Sequence, residues 1–184
     1  MYEVELKVEI TKEEREKLLF VLENKNFIYS GMTPLNDYYI EGQESPYGGY
    51  NIKRYRQEDG KVIYTEKTWV MVGDTPSRKE DEHEVSIEVF NKEIAKFPNL
   101  IKIHKERDWF SGIYDGLDMG IMIDSVRFDH SVSTRYFIEA EVIVSDENKV
   151  KKIRGEILKF LQDLLDKPEI KEAHSMFSMA LNKK

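Results

Sequence analysis

Two pairs of glutamates have the spacing that places both side chains on one face of a β-strand. Glu3 and Glu5 lie near the start of the chain, and Glu139 and Glu141 lie near its end. Residues two apart in a strand are roughly 7 Å apart, so their like charges repel unless water, a metal ion or a cationic partner neutralises them. One such strand is typical of a solvated acidic face, but the repetition favours a shared charged site.

Basic residues recur with the same alternation, one in the first strand and the others in the middle of the chain. They are Lys7, Arg54, Arg56, Lys67, Arg78, Lys105 and Arg107. Further acids accompany them at Glu80, Glu82, Glu84 and Asp124. Asp124 stands in an apolar stretch, so its carboxylate requires a partner or a wet cavity. The acids and bases are grouped by strand, and a polyphosphate bound together with magnesium or manganese satisfies both groups.

The elements that must position these side chains are mostly extended. In residues 2–10 and 136–144, apolar residues occupy one face and charges the other, which is a strand period. Thr11 and Glu14 form a capping box at the start of a helix. The remaining predicted strands are Asp37–Glu41, Tyr50–Arg56, Lys61–Val70, Arg78–Val89 and Leu100–Phe110, and Ile113–Phe128 is predicted as a hairpin turning at Met119-Gly120. A loop is predicted at Gly42–Gly49. The predicted helices are a short one from Asn91 and two longer ones at Asp146–Asp166 and Glu169–Leu181.

This succession of antiparallel strands predicts a barrel with a wet, charged interior. Its apolar exterior needs covers, since a bare apolar face aggregates, and the amphipathic helical segments supply them. The whole chain, residues 1–184, is interpreted as a single domain.

Composition limits the function classes. The chain has 184 residues, no cysteine and a net charge of −7. Without cysteine there is no disulfide, thiolate nucleophile or cysteine-bound metal. The negative charge disfavours a general nucleic-acid binder. No signal peptide and no membrane-spanning stretch is evident, so a cytoplasmic protein that binds neither nucleic acid nor membrane is expected, as a monomer or a homodimer.

The ordered motifs resemble the CYTH domain family of triphosphate tunnel metalloenzymes, which includes thiamine triphosphatases and class IV adenylyl cyclases. The first-strand signature Glu-x-Glu-x-Lys is present as Glu3, Glu5 and Lys7. The further motifs, in family order, are Asp37-x-Tyr39, Arg54-x-Arg56, Thr65-x-Lys67, Arg78-x-Glu80-x-Glu82, Lys105-x-Arg107, Asp124, Glu139-x-Glu141 and Ser175-Met176-Phe177. Two features depart from the family pattern. Lys53 stands where the family usually has an aliphatic residue before its first arginine, and Gly42–Gly49 is a long insert.

The resemblance implies an α+β fold, a closed antiparallel eight-stranded β-barrel with helices packed outside. It implies that Mg²⁺ or Mn²⁺ is held by Glu3, Glu5, Asp124, Glu139 and Glu141. Triphosphate oxygens are bound by Lys7, Arg54, Arg56, Lys67, Arg78, Lys105 and Arg107. Lys7, Glu5 and Tyr39 are the catalytic candidates. A second metal or an orienting role falls to Glu80, Glu82 and Glu84.

Three functions follow from this resemblance. The first is a metal-dependent triphosphatase acting on inorganic triphosphate, a nucleoside triphosphate or thiamine triphosphate. The second is a class IV adenylyl cyclase that converts ATP to cyclic AMP and pyrophosphate. The third is a non-catalytic polyphosphate-binding or nucleotide-binding module, which the two Glu-x-Glu pairs disfavour because binding an anion does not need so many carboxylates. The triphosphatase is preferred.

Overall fold

The computed structural model describes residues 2–47, 49–73, 75–129 and 131–181, apart from the side chains of residues 75 and 76. These residues form eight strands and four α-helices. Their bounds are β1 Tyr2–Ile10, α1 Lys12–Asn24, β2 Ile28–Glu44, β3 Tyr50–Glu58, β4 Lys61–Val72, β5 Thr75–Val85, α2 Ile87–Ile94, β6 Ile101–Tyr114, β7 Leu117–Phe128, β8 Arg135–Val144, α3 Val150–Leu165 and α4 Met176–Leu181.

The strands close into one barrel in the order β1-β5-β4-β3-β2-β6-β7-β8. Every pair of neighbours is antiparallel, and β1 closes the ring by pairing with β8 along its full length and with β5 at Glu3 and Arg78. The predicted α+β architecture, a closed eight-stranded barrel with external helices, is therefore confirmed.

The main hydrophobic core lies outside the barrel wall. Val4, Leu6 and Val8 of β1 are at most 5% exposed and pack in one cluster with Leu22 of α1 and Phe160 of α3. Burying each side chain of this size stabilises the folded state by about 1.5–3 kcal/mol. Alternation along the strands then forces the charged residues between them to point inward.

Helix α1 is capped locally and joined to the barrel through its first turn. The predicted capping box is present, with Thr11 accepting from the Glu14 amide and Glu14 accepting from the Thr11 amide. One turn along, Arg15 Nη2 lies 2.5 Å from Asp108 Oδ2, and the Tyr29 hydroxyl donates to the other Asp108 oxygen at 2.9 Å. Asp108 is 4% exposed on the outer face of β6. This buried charge links α1 and β2 to the outside of β6 and does not line the cavity.

Two predicted boundaries near the middle of the chain were wrong. The strand placed at Arg78–Val89 ends at Val85, because the Ser86 hydroxyl accepts from the Val89 amide and starts α2 at Ile87 instead of Asn91. The hairpin placed at Met119-Gly120 turns at Asp115-Gly116, where both φ angles are positive, as a tight two-residue turn requires.

The C-terminal segment and the predicted loop also differ. The helix placed at Glu169–Leu181 is helical only from Met176. Before it, Glu172 bridges Val8 of β1 and the Ala173 amide donates to the Lys7 carbonyl at 2.8 Å, so the main chain there is bonded to the barrel and not within a helical turn. In the predicted Gly42–Gly49 loop, residues 42–44 continue β2, and residue 48 lies outside the described residues. Within the described ranges, no helix is long and apolar enough to cross a membrane.

Candidate functional site

The inward faces of the strands enclose a cavity of about 510 Å³. Most of the predicted site residues line it: Glu3, Glu5, Lys7, Tyr39, Arg54, Arg56, Lys67, Arg78, Glu80, Glu82, Lys105, Arg107, Glu139 and Glu141. Asp124 and Glu84 lie elsewhere. Residues from β1 to β8 thus converge on one space, as the alternation predicts.

One side of this cavity is lined by Arg54, Arg56, Lys105 and Arg107. Behind these cations lie the buried carboxylates Asp37 and Asp124, which do not themselves line the cavity, and the six residues together are called here the anchored wall. Asp37 is fully buried on β2, between β3 and β6. Its Oδ1 accepts from Arg56 Nε at 2.8 Å, and its Oδ2 lies 2.7 Å from Lys105 Nζ and 3.8 Å from Arg54 Nη1. Burial opposes its charge, but Arg56 and Lys105 outweigh burial and hold the Asp37 pKa well below its usual range.

The second anchor is Asp124, which pairs with Arg107. Arg107 Nε and Nη2 donate to the two Asp124 oxygens, each at 2.7 Å, and Asp124 is 1% exposed. The predicted need for a partner is met within the wall. Although burial raises it, the Asp124 pKa is lowered overall by Arg107. Arg107 also lies over the Trp109 ring at 5.1 Å, which fixes its plane.

The opposite side, called here the glutamate wall, consists of Glu3, Glu5, Glu139 and Glu141 with Lys7 and Arg78. In the β1–β8 register Glu5 lies opposite Glu141, and Lys7 lies opposite Glu139. Lys7 Nζ is 2.9 Å from Glu139 Oε2, and Arg78 donates to Glu5. Basic side chains of the protein therefore contact two of the glutamates, Glu5 and Glu139, that sequence reasoning assigns to metal.

The carboxylates of the glutamate wall are crowded. Burial and the charge of Glu139 raise the pKa of Glu5 to about 7. Burial and the charges of Glu3 and Glu139 raise the pKa of Glu141 to about 8. For Glu139 burial acts the same way, but Lys7 outweighs it and holds the pKa well below its usual range. Ionising the whole wall therefore requires additional positive charge.

Two acids between the walls contact basic residues directly. Glu80 Oε2 lies 2.7 Å from Lys67 Nζ. Glu82 accepts from the Thr65 hydroxyl at 2.8 Å, and Thr65 accepts from Arg54 Nη2 at 3.1 Å. These contacts orient Lys67 and Arg54.

Glu84 shares the inner face of β5 with Glu80 and Glu82, but it does not line the cavity. Its side chain is 59% exposed, and its carboxylate is 3.5 Å from Lys61 Nζ. It lies opposite Ile63, near the end of the β3–β4 hairpin, and therefore beyond the cavity. With Arg56 and Glu82 it lines a separate surface pocket of about 300 Å³.

Helix α4 closes the cavity beside Tyr39. The Tyr39 ring lies 5.4 Å from that of Phe177, and Phe177 is 5.2 Å from Tyr50. A Cβ on Gly42 would be 2.1 Å from the Phe177 ring, so glycine is needed where this aromatic group packs. Tyr39 is 5% exposed, and burial raises its pKa, so its hydroxyl stays protonated and available as a donor.

The donor set fits a hard divalent cation. All four glutamates of that wall offer oxygen, the ligand type that Mg²⁺ and Mn²⁺ prefer. The buried Glu3 Oε2 accepts no hydrogen bond from any described residue, and Lys67 Nζ is 3.5 Å away. Among the described residues, no three acidic or histidine side chains form a ready-made metal site.

Two contributors escaped the sequence analysis as site residues. Asp37 and Thr65 belong to the ordered motifs, yet neither was assigned a role. Both are fully buried polar residues that share a face with an assigned residue, Asp37 with Tyr39 and Thr65 with Lys67. That shared face was the signal available in the sequence.

Comparison with known proteins identifies relatives of this chain. The family model for the CYTH domain matches residues 1–176. A search of curated proteins finds no match.

Solved structures share the fold across the whole chain. The PH1819 protein from Pyrococcus horikoshii OT3 has a TM-score of 0.68 and 21% identity, with 100% of each chain covered. HpAC1 from Hippeastrum, a proposed adenylyl cyclase described as having a dominant triphosphatase activity, has a TM-score of 0.61 and 15% identity, covering 100% of this chain and 97% of its own. A proposed adenylate cyclase from Vibrio parahaemolyticus has a TM-score of 0.60 and 14% identity, covering 99% and 98%. At these identities the likeness concerns the fold.

Proposed function

This chain belongs to the CYTH domain family, and from that premise we propose that it is a divalent-metal-dependent triphosphatase acting on a triphosphate-bearing small molecule. One observation supports this above the others: a single cavity has an anchored wall of cations facing a wall of glutamates. A polyanion matches the first wall and a metal ion matches the second.

The basic side chains bind the triphosphate. Arg54, Arg56 and Arg107 present planar guanidinium groups that suit two-point contacts to phosphoryl oxygens, and Lys67 and Lys105 act as point charges. Because carboxylates hold these side chains before substrate arrives, little conformational entropy is lost on binding.

The four glutamates of the glutamate wall hold Mg²⁺ or Mn²⁺. When bound, the metal neutralises phosphate charge and lowers the pKa of the attacking water. Asp124 is proposed to position Arg107, since both of its oxygens already accept from that residue.

Two further side chains act on the phosphate chain. Lys7 is buried, yet Glu139 and Glu5 raise its pKa overall, so it remains a cation beside the reacting phosphoryl group. Tyr39 supplies an O–H donor that stabilises charge developing on the leaving oxygen.

Product analysis tests the proposal. The protein is incubated with inorganic triphosphate, ATP or thiamine triphosphate, with Mg²⁺ or Mn²⁺, and the products are separated by chromatography. Metal-dependent phosphate release, absent in Glu141→Gln prepared identically, is expected. Cyclic AMP with pyrophosphate from ATP would instead establish a cyclase, and tight binding without turnover would establish a binding module.

A further inference from the structure

Three of the cavity's cations meet at one buried carboxylate. Arg56 and Arg54 come from β3 and Lys105 from β6, and all three lie within 3.8 Å of an Asp37 oxygen. Arg54, Lys105 and Asp37 are each at most 5% exposed. Asp37 is thus the shared counter-charge of side chains from two different strands.

The strand register explains why this one residue reaches all three cations. On one edge of β2, Asp37 lies opposite Arg56, and its neighbour Tyr39 lies opposite Arg54. On the other edge, Leu35 lies opposite Lys105. A carboxylate at residue 37 therefore stands between the two strands that carry the cations.

Three buried cations without this carboxylate would repel one another in a medium of low dielectric. With Asp37 in place, the three cations can lie close together. The four side chains together keep a net positive charge, because one carboxylate offsets only one of the three cations. That is the arrangement a polyanion needs.

We propose that Asp37 is the positioning residue of the triphosphate site, which sets the spacing of Arg54, Arg56 and Lys105 and keeps Lys105 charged for the substrate. This inference rests on the proposed function for the identity of the ligand. It goes beyond that function by assigning a role to a residue that does not itself line the cavity.

The charge of Lys105 gives the proposal a direct readout. Burial lowers the Lys105 pKa to about 8, while Asp37 acts in the opposite direction. The other charged groups that act on it are Arg56 of β3, Arg107 of β6 and Asp124 of β7. Removing the Asp37 charge leaves two like-charged neighbours and burial, so Lys105 loses its proton at a lower pH.

The test uses Asp37→Asn with Asp108→Asn as the matched control, because Asp108 is a buried ion-paired carboxylate on the outer face. Lysine carrying ¹³C at Cε is incorporated, Lys105→Met assigns the Lys105 signal, and the metal-free protein is titrated by NMR. Calorimetry at pH 7.5 with inorganic triphosphate and a chelator then measures binding without turnover.

In Asp37→Asn we expect the Lys105 titration to move down by at least about one pH unit and triphosphate affinity to fall at least about tenfold. Asp108→Asn should match wild type in both. An unmoved titration, or equal losses in the two variants, overturns the proposal. If Asp37→Asn does not fold, Arg56→Met replaces it: with a like charge removed and Asp37 retained, the Lys105 titration should move to higher pH than in wild type, and no change overturns the proposal.

The two failures are distinguishable. If wild type binds no triphosphate while the Lys105 titration still moves as expected, the proposed function falls and Asp37 remains the electrostatic anchor. If wild type binds triphosphate and Asp37→Asn binds it equally well, the proposed function stands and the positioning role is overturned.

Discussion

The anchored wall and the glutamate wall bury charge in opposite ways. In the first, Asp37 and Asp124 each accept from or contact basic groups at 2.7–2.8 Å, and their pKa values are lowered. In the second, the pKa values of Glu5 and Glu141 are raised to about 7 and about 8 because carboxylates crowd one another. The carboxylates of the anchored wall are therefore each paired with cations, whereas those of the glutamate wall crowd one another.

This difference indicates which kind of ligand each wall is suited to bind. A group of cations held in place by buried carboxylates is preorganised for an anion, because these side chains lose little conformational freedom when the anion binds. Crowded glutamates gain most from a cation, since metal charge relieves their repulsion directly. The following predictions test this contrast, from the largest effect to the smallest.

The largest effect is expected from removing a glutamate charge. Glu5→Gln or Glu141→Gln should lower kcat/KM at least about 100-fold, roughly 2.7 kcal/mol, because a carboxylate ligand is lost while the fold is kept. Steady-state kinetics at limiting magnesium, with circular dichroism of each variant, measures it. Glu9→Gln is the control, since Glu9 pairs with Arg135 away from the cavity. Wild-type turnover in either cavity variant contradicts the metal assignment.

The anchored wall governs the next prediction, which concerns the number of phosphoryl groups. Affinity should fall by at least about tenfold, roughly 1.4 kcal/mol, from triphosphate to diphosphate and again to monophosphate, because shorter chains reach fewer cations. Arg54→Ala and Arg56→Ala should flatten the series. Calorimetry at equal magnesium measures all three ligands.

Lys53→Ala is the matched control for the arginine variants. Lys53 lies between Arg54 and Ile52 on the same strand, but it points outward and its Nζ is 2.9 Å from Glu41. Its removal should leave the affinity series unchanged. Equal wild-type affinity for all three phosphates would exclude a site built for triphosphate.

Sequence alone predicted most of the barrel because alternation is a local signal. In residues 2–10 and 136–144 each side chain's face followed from its neighbours, and the structure confirms those faces. Boundaries failed where a single polar contact decided them. The Ser86 cap began α2 among β-branched residues that favour a strand, and a main-chain bond from Ala173 to β1 opposed a helix before Met176.

The site was less accessible to sequence reasoning, because pairing across strands is not local. Periodicity places Asp37 inside, but only the β2–β3 and β2–β6 registers bring it to cations on both sides. Likewise nothing in the sequence indicates that Arg107 lies directly opposite Asp124, so the contact between the two could not be predicted.

The two walls should also differ in how they make the free energy of unfolding depend on pH. The folded pKa values of Glu5 and Glu141 are raised above their ordinary value of 4.5, so between about pH 5 and pH 8 the unfolded chain binds fewer protons. Stability of the metal-free protein therefore falls as pH rises through that window. The lowered pKa values of Asp37 and Asp124 act oppositely, and their contribution is lost only in more acidic solution.

We accordingly expect metal-free protein to melt a few degrees higher at pH 5.5 than at pH 8. Glu141→Gln should reduce the difference, and magnesium at pH 8 should restore stability because it binds the ionised wall. Calorimetric melting in chelator and in magnesium measures each. A metal-free protein more stable at pH 8 than at pH 5.5 would contradict the crowding of these carboxylates.

The smallest effect sharpens the contrast without changing any charge. Gly120 lies opposite Glu141 in the β7–β8 register, and a Cβ there would be 3.2 Å from Glu141 Cγ and Oε1. In Gly120→Ala the flexible carboxylate must shift by a few tenths of an ångström, so we expect Mn²⁺ affinity to fall about threefold, roughly 0.7 kcal/mol, with metal-free triphosphate affinity unchanged.

Gly155→Ala is the control: no heavy atom lies within 4 Å of its Cβ, and alanine in α3 should raise stability by about 1 kcal/mol while leaving Mn²⁺ affinity unchanged. Electron paramagnetic resonance of free Mn²⁺ separates the two variants, and equal affinities would mean that the glutamate wall tolerates displacement and that its metal site does not depend on the position of Glu141.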